Sequence, residues 1–220
     1  MVEPSVVGAF KIRLKGEELW LLPDKALYWP AQKALVVSDI HLGKAGHFRK
    51  NGIPVPAIVH HHDLYILTDL CQQYEVEYLI FLGDLFHSDP NAQWRQFEDW
   101  THQYGTAKMT LVKGNHDILP DKNYTDLGLE VIDELILGPF LWTHEKVLRE
   151  GFYNISGHLH PAIRLRGAAK QGLKVPCFYF SPDHGYMPAF GQFTGLYALR
   201  KKKEDKVFGI ANGQVFSTER

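Results

Sequence analysis

The chain contains only two cysteines, Cys71 and Cys177. They are too few and too far apart to staple a small secreted fold, and they read as reduced core thiols in a cytoplasmic protein. No apolar run approaches the roughly 18 residues of a membrane span. Residues 1–20, MVEPSVVGAFKIRLKGEELW, lack the apolar core and small-residue cleavage site of a secretory signal. Neither sign of charge is in excess: 24 Lys and Arg face 25 Asp and Glu, for a net charge of −1 with histidines neutral. That excludes a strongly basic nucleic-acid-binding surface over the whole molecule and leaves room only for a local basic patch. Repeats, low-complexity tracts and linkers are also missing, so a single domain over residues 1–220 is expected. At this length and 45% hydrophobic residues, such a domain can bury a substantial core.

Present instead is an ordered run of apolar segments. Residues 10–30 read as short strands punctuated by Gly16 and Pro23. Residues 33–37 form a strand, and residues 57–74 place Ile58, Leu64, Ile66, Leu67 and Leu70 near helical period. A buried strand follows at 76–82, a helix at 92–104 with Trp94, Phe97 and Trp100 on one side, and a third strand at 107–113. Beyond residue 128 short strand-like pieces dominate, at 128–132, 134–137, 139–143, 152–156, 161–166, 173–180, 194–199 and 206–216. The pattern predicts parallel pairing early, antiparallel pairing late, and a layered α/β sandwich.

The chemistry sits at the strand ends. Three successive strands stop at Asp39-Ile40-His41, Gly83-Asp84-Leu85-Phe86-His87 and Gly114-Asn115-His116-Asp117. In an open α/β sheet, ligands bind beyond the carboxyl ends of the strands. The β-rich half adds Thr143-His144 and Gly157-His158-Leu159-His160, again after strand-like runs. Gly83, Gly114 and Gly157 are expected to let the backbone turn sharply beside the site. Asp39, His41, Asp84, Asn115, His144, His158 and His160 form a donor set of imidazole, carboxylate and amide oxygen without thiolate. Such a set suits Mn²⁺, Fe²⁺ or Zn²⁺ rather than Ca²⁺, and it is large enough for two ions sharing a carboxylate. Two ions roughly 3.5–4 Å apart can clamp a phosphoryl group and acidify a bound water.

These motifs, DIH, GDLFH, GNHD, TH and GHLH, resemble those of the calcineurin-like metallophosphoesterases. The resemblance implies an α-β-β-α sandwich of two mixed sheets flanked by helices. It implies that Asp39, His41, Asp84 and His160 hold one metal, and that Asp84 bridges to a second held with Asn115, His144 and His158. It implies that His116 is not a ligand but faces the phosphate and stabilises or protonates the leaving oxygen. Asp117 is expected to orient that imidazole. Many phosphomonoesterases of the superfamily end the second motif in Asp; His87 stands here, which is similar to the DNA-repair nuclease branch and gives His87 a substrate-side catalytic role. Residues 25–30 (KALYWP), 41–54 (HLGKAGHFRKNGIP) and 181–196 (SPDHGYMPAFGQFTGL) resemble the bacterial ligase-associated group. That implies Mn²⁺-dependent cleavage of DNA phosphodiesters in the DNA-damage response, beside an ATP-dependent DNA ligase, a helicase and an exonuclease-like protein. Residues 161–220 read as strands of the core, so no separate capping region is expected.

Lys44 and Arg49 are the candidate grips on flanking phosphates, since phosphate affinity comes from cations. Lys50, His47, Phe48, Arg164 and Arg166 are weaker candidates for the same groove. His60-His61-His62 lies within a helix, where adjacent residues point in different directions, and it is not expected to bind metal. Lys201-Lys202-Lys203 reads as a solvated strand end, and no role in the site is expected of Asp183 or His184. Two other functions stay open. A phosphodiesterase or pyrophosphohydrolase of a small nucleotide fits the near-neutral charge. A non-catalytic metal-binding scaffold is disfavoured because every ligand and His116 are in place.

Overall fold

The computed structural model describes residues 7–44, 59–86, 92–105, 107–166, 172–192 and 194–219. The first sheet runs in sequence order through seven strands: β1 (Phe10–Leu14), β2 (Glu17–Leu21), β3 (Leu27–Trp29), β4 (Ala34–Val37), β5 (Tyr78–Leu82), β6 (Lys108–Val112) and β7 (Leu129–Ile132). β1 to β4 pair antiparallel through tight connections. β4 to β7 pair parallel, which requires crossovers. Helix α1 (Val59–Gln73) lies between β4 and β5, α2 (Ala92–Tyr104) between β5 and β6, and the short α3 (Asp121–Thr125) between β6 and β7. Side chains of all three helices join one apolar cluster, so the crossovers lie on one face of the sheet, as a strand order that advances steadily in one direction with a single crossover hand requires.

The second sheet has the order β14 (Tyr197–Ala198), β11 (Pro161–Arg166), β12 (Gly172–Phe180), β13 (His184–Tyr186), β10 (Tyr153–Ser156), β9 (Phe140–Thr143), β8 (Glu134–Leu137). β15 (Lys206–Ala211) also pairs with β12, and β16 (Gln214–Ser217) with β15. Antiparallel pairing, as expected, joins β8–β9, β11–β12, β12–β13, β12–β15 and β15–β16, but β10 runs parallel to both β9 and β13, and β11 parallel to β14.

Alternation along the central strands builds the layers. Leu35, Val37, Leu79, Phe81 and Leu111 face the helices, where they meet Leu64, Leu67, Trp94 and Phe97. Val36, Ile80, Leu82 and Val112 point the other way, into a core shared with Phe140, Trp142, Ile155, Phe178 and Phe180 of the second sheet. A strand apolar on both faces is what a sheet buried on both sides demands. On the outer face of the second sheet, Ile163, Val175, Cys177, Tyr179 and Val207 form a smaller cluster. The architecture is the layered α/β sandwich of two mixed sheets. No described helix is long and apolar enough to cross a membrane.

Candidate metal centre

All five motifs converge at one edge of the sandwich because their strands end there. β4 delivers Asp39 and His41, β5 Asp84 and β6 Asn115. In the second sheet the parallel register sets Thr143 beside Ser156, so the residues that follow, His144 and the His158–His160 turn, emerge on the same side. An antiparallel pair would have sent them to opposite ends. Backbone bonds then lock the ends together. Asp39 N–H donates to Gly83 O (3.1 Å), His41 N–H to Asp84 O (2.8 Å) and Gly157 N–H to His144 O (3.0 Å). His158 N–H donates to Asp39 Oδ2 (2.9 Å), joining the two sheets. Among the described residues ten non-glycines adopt positive φ, and five of these are Asp39, His41, Asp84, His158 and His160, with φ of 50–63°. Each such conformation costs of order 1–3 kcal/mol and persists only where the surroundings over-determine it.

The donor atoms form two trios, Asp39–His41–His160 and Asp84–His144–His158, each with its ligand atoms within 4.8 Å of one another. The Asp84 carboxylate, a member of the second trio, also lies near the first. Its Oδ2 lies 3.6 Å from His41 Nε2 and its Oδ1 3.4 Å from His144 Nε2. Asn115 Oδ1 and His158 Nδ1 each lie 3.1 Å from His144 Nε2. His144 Nδ1 is 3.0 Å from Leu82 O, a carbonyl that can only accept. The proton of the neutral ring is therefore on Nδ1, and the Nε2 lone pair points at Asn115 Oδ1, Asp84 Oδ1 and His158 Nδ1. Across the other trio, Asp39 Oδ1 faces His160 Nε2 at 3.2 Å. Electron-rich donor atoms packed this closely repel wherever no proton lies between them, and a cation in each cluster would remove that repulsion. The donor set thus fits divalent ions. Burial pushes the Asp39 carboxyl up, but His160 and the Ser38 hydroxyl outweigh it and hold the group below the usual carboxylate range.

His116 is not in either trio. Its N–H donates to Asp84 Oδ1 (2.9 Å), and its half-buried ring packs edge-on against His41 at 5.5 Å between centroids. That puts an imidazole beside the ligands at the mouth of the site. Asp117 was expected to hold this ring. Its buried carboxylate instead accepts from Gly114 N–H (2.9 Å), Leu85 N–H (2.9 Å), Phe86 N–H (3.1 Å) and the Tyr124 hydroxyl (3.4 Å). It braces the second motif against the third. The half-buried Lys44 is loosened by desolvation, while Asp84 and Asp39 favour its charge, so its ammonium lies within the field of the centre. His87 and Arg49, with His47, Phe48 and Lys50, lie outside the described residues, as do the side chains of His60, His61 and Arg166. Arg164 is exposed on β11. His184 bonds Ser181 Oγ and Asp183 Oδ1 at the start of β13, the end remote from the ligands.

The glycines matter for space more than for turning. Only Gly83 has positive φ, +72°. A methyl on Gly114 would strike the Asp84 carboxylate, and one on Gly157 would strike Ser38 Oγ and Asp39 Oδ2. The sequence reading missed Ser38, and it left the Pro188-Ala189-Phe190-Gly191 run without a task. Phe190 N–H donates to Ser38 O (2.7 Å) and Gly191 N–H to Asp39 O (3.2 Å), and a methyl on Gly191 would strike Ile40 O.

The family model described as "Calcineurin-like phosphoesterase" matches residues 33–207, a span holding all five of the metal-site motifs. The chain belongs to the calcineurin-like phosphoesterases. As a member it is a metal-dependent phosphoesterase, and the two trios are where its divalent ions would sit. The crystal structure of Pseudomonas putida nuclease MPE is similar to it, with a TM-score of 0.83 and 33% identity over 95% of this chain and 99% of that one. The phosphoesterase YfcE from E. coli shares 13% identity over 81% of this chain and 88% of that one, at a TM-score of 0.41. The protein of unknown function AQ665 from Aquifex aeolicus shares 20% identity over 58% and 78%, at 0.40. Among curated protein sequences, none matches the chain.

Proposed function

We propose that this phosphoesterase is a dinuclear-metal phosphodiesterase whose substrate is DNA and whose ions are Mn²⁺. The observation that carries the reading is the Asp84 carboxylate, which presents one oxygen to each trio. The 33% identity to a nuclease over nearly the whole length supports a nucleic-acid substrate. The resemblance of residues 41–54 and 181–196 to the ligase-associated group supports a role in DNA repair, in the cytoplasm, in association with an ATP-dependent ligase, a helicase and an exonuclease-like protein.

Two bound divalent ions would supply Lewis acidity to the phosphoryl oxygens and a water acidified enough to attack at neutral pH. The chain's own residues do the rest. Asp84, anchored by His116 N–H, keeps the two ligand sets in register. His144, its Nδ1–H held by Leu82 O, keeps Nε2 aimed inward. The His116 ring donates a proton to the leaving oxygen, and Lys44 draws the substrate's phosphate toward the ligands. His87 and Arg49 keep the substrate-side roles that their motif implies.

The test is cleavage of circular single-stranded DNA by metal-stripped protein with Mn²⁺ restored, alongside His116→Ala. Circles have no ends, so cutting by the wild type alone establishes an endonuclease working through this site. Intact circles together with hydrolysis of a small nucleotide diester would move the assignment to the second reading, a small-nucleotide phosphodiesterase, which the net charge of −1 favours.

A further inference from the structure

The segment that pins the first motif is itself irregular. Residues 187–192 belong to no strand, yet Phe190 and Gly191 supply the N–H groups that bond Ser38 O and Asp39 O. Those carbonyls lie just past the end of β4, where the sheet ladder has stopped and where Asp39 and His41 hold φ of 53° and 54°. Something must fix the segment from its other side.

Two charged residues do so. Lys25, in the turn between β2 and β3, donates from its ammonium to Phe190 O, and that ammonium lies 5.9 Å from the centroid of the Phe190 ring. Asp63, buried in the first turns of α1, lies near enough to the Gln192 N–H and the Lys25 ammonium for both to favour its charged form. Its Oδ1 has no hydrogen-bond partner. Burying opposite charges this way is a poor route to stability, since well-packed apolar residues often do as well or better. The pair makes sense as a device that fixes one conformation. The N–H groups of Phe190 and Gly191 are then engaged by the first motif and the Phe190 carbonyl by Lys25, with the Asp63 carboxylate in the field of both.

We propose that Lys25 and Asp63 are positioning residues: they clamp residues 190–192, and through the N–H groups of Phe190 and Gly191 they hold Asp39 and His41 in the metal-binding conformation. The clamp rests on the reading that Asp39 and His41 ligate a divalent ion. It acts at a distance from substrate and predicts a change in metal affinity and kcat with little change in KM.

The experiment is Mn²⁺ titration calorimetry on metal-stripped wild type, Lys25→Met, Asp63→Asn and Lys25→Arg, with turnover of bis(p-nitrophenyl) phosphate measured in parallel. Removing a group that orients a metal ligand typically costs about 10–100-fold in affinity or activity. Lys25→Met and Asp63→Asn should weaken one of two Mn²⁺ sites by about that much and lower kcat. Lys25→Arg, which still donates to Phe190 O and carries the charge, should recover most of both. Amide hydrogen exchange on the wild type gives a readout that no variant's folding can spoil. Because coupling between sites is reciprocal, Mn²⁺ should slow exchange at Phe190, Gly191 and Gln192. Wild-type affinity and turnover in Lys25→Met, or exchange at these amides indifferent to Mn²⁺, overturns the clamp. Wild-type protein that binds no Mn²⁺ overturns the metal reading beneath it.

Discussion

Asp117 and His116 are adjacent, and their surroundings give them different work. Asp117 accepts from the backbone N–H groups of Gly114, Leu85 and Phe86. An Asn in its place has one acceptor oxygen and turns an NH₂ toward donors on the other side. Each buried group left unsatisfied costs about 1–3 kcal/mol, so Asp117→Asn should lower the urea-derived stability by that order. His116→Ala removes nothing from that brace, since the bond to Asp84 comes from the backbone N–H. It should leave stability and Mn²⁺ stoichiometry intact while lowering kcat by roughly 10²–10⁴, the usual range for a positioned acid or base. Steady-state kinetics beside urea titrations separate the two residues. Equal losses of kcat with unchanged stability in both variants would return Asp117 to the catalytic role that its sequence position suggested.

At the scale of elements, the apolar side of the helix layer packs against the first sheet beneath the site. Phe97 in α2 is fully buried, stacks on Trp100 at 5.8 Å and meets Phe81 of β5 edge-on at 6.3 Å. Truncating such a ring typically costs about 3–5 kcal/mol. Phe97→Ala should therefore shift the urea midpoint sharply while the folded fraction retains its Mn²⁺-dependent turnover; loss of turnover in fully folded protein would show that the layer shapes the centre. The elements around it were legible in the sequence because each obeys its own period: α1, α2 and the strands that end at Val37, Leu82 and Val112 all stand within a few residues of their expected bounds. Less legible was β13, three residues between Pro182 and Pro188, too short for alternation to register. The parallel pairing of β9 with β10 was not legible at all, since no helix separates them to mark a crossover. One local signal was present and passed over. Asn212-Gly213, both at positive φ, divides the expected strand 206–216 into a two-residue hairpin with Ala211 paired to Gln214, as that dipeptide commonly does.

At the scale of the whole molecule, core and metal centre report on folding by separate routes. Burial pushes the Cys71 and Cys177 thiols up to about 12, which leaves a thiolate fraction of about 10⁻⁴ at pH 8. Neither should react with a disulfide reagent at that pH until the chain unfolds, and the reaction rate should then track urea-induced opening. Fast labelling of the native protein would contradict the packing around Cys71. The metal acts on the same equilibrium from the other side. Without ions, the electron-rich atoms of His144, Asn115 and Asp84 crowd one another, and five residues of the cluster hold positive φ. An ion that binds only the folded state stabilises it by about 2.7 kcal/mol at one hundred times its Kd. For a domain of this size that corresponds to a rise in Tm of roughly 5–10 °C per ion. Mn²⁺ should raise Tm by that order over chelator-treated protein, His116→Ala should show the full shift, and Asp84→Asn, which removes the charge shared by both trios, should lose most of it. Identical melting curves in Mn²⁺ and in chelator would mean that the converging donors do not bind the ion, and the assignment of the centre would fall with them.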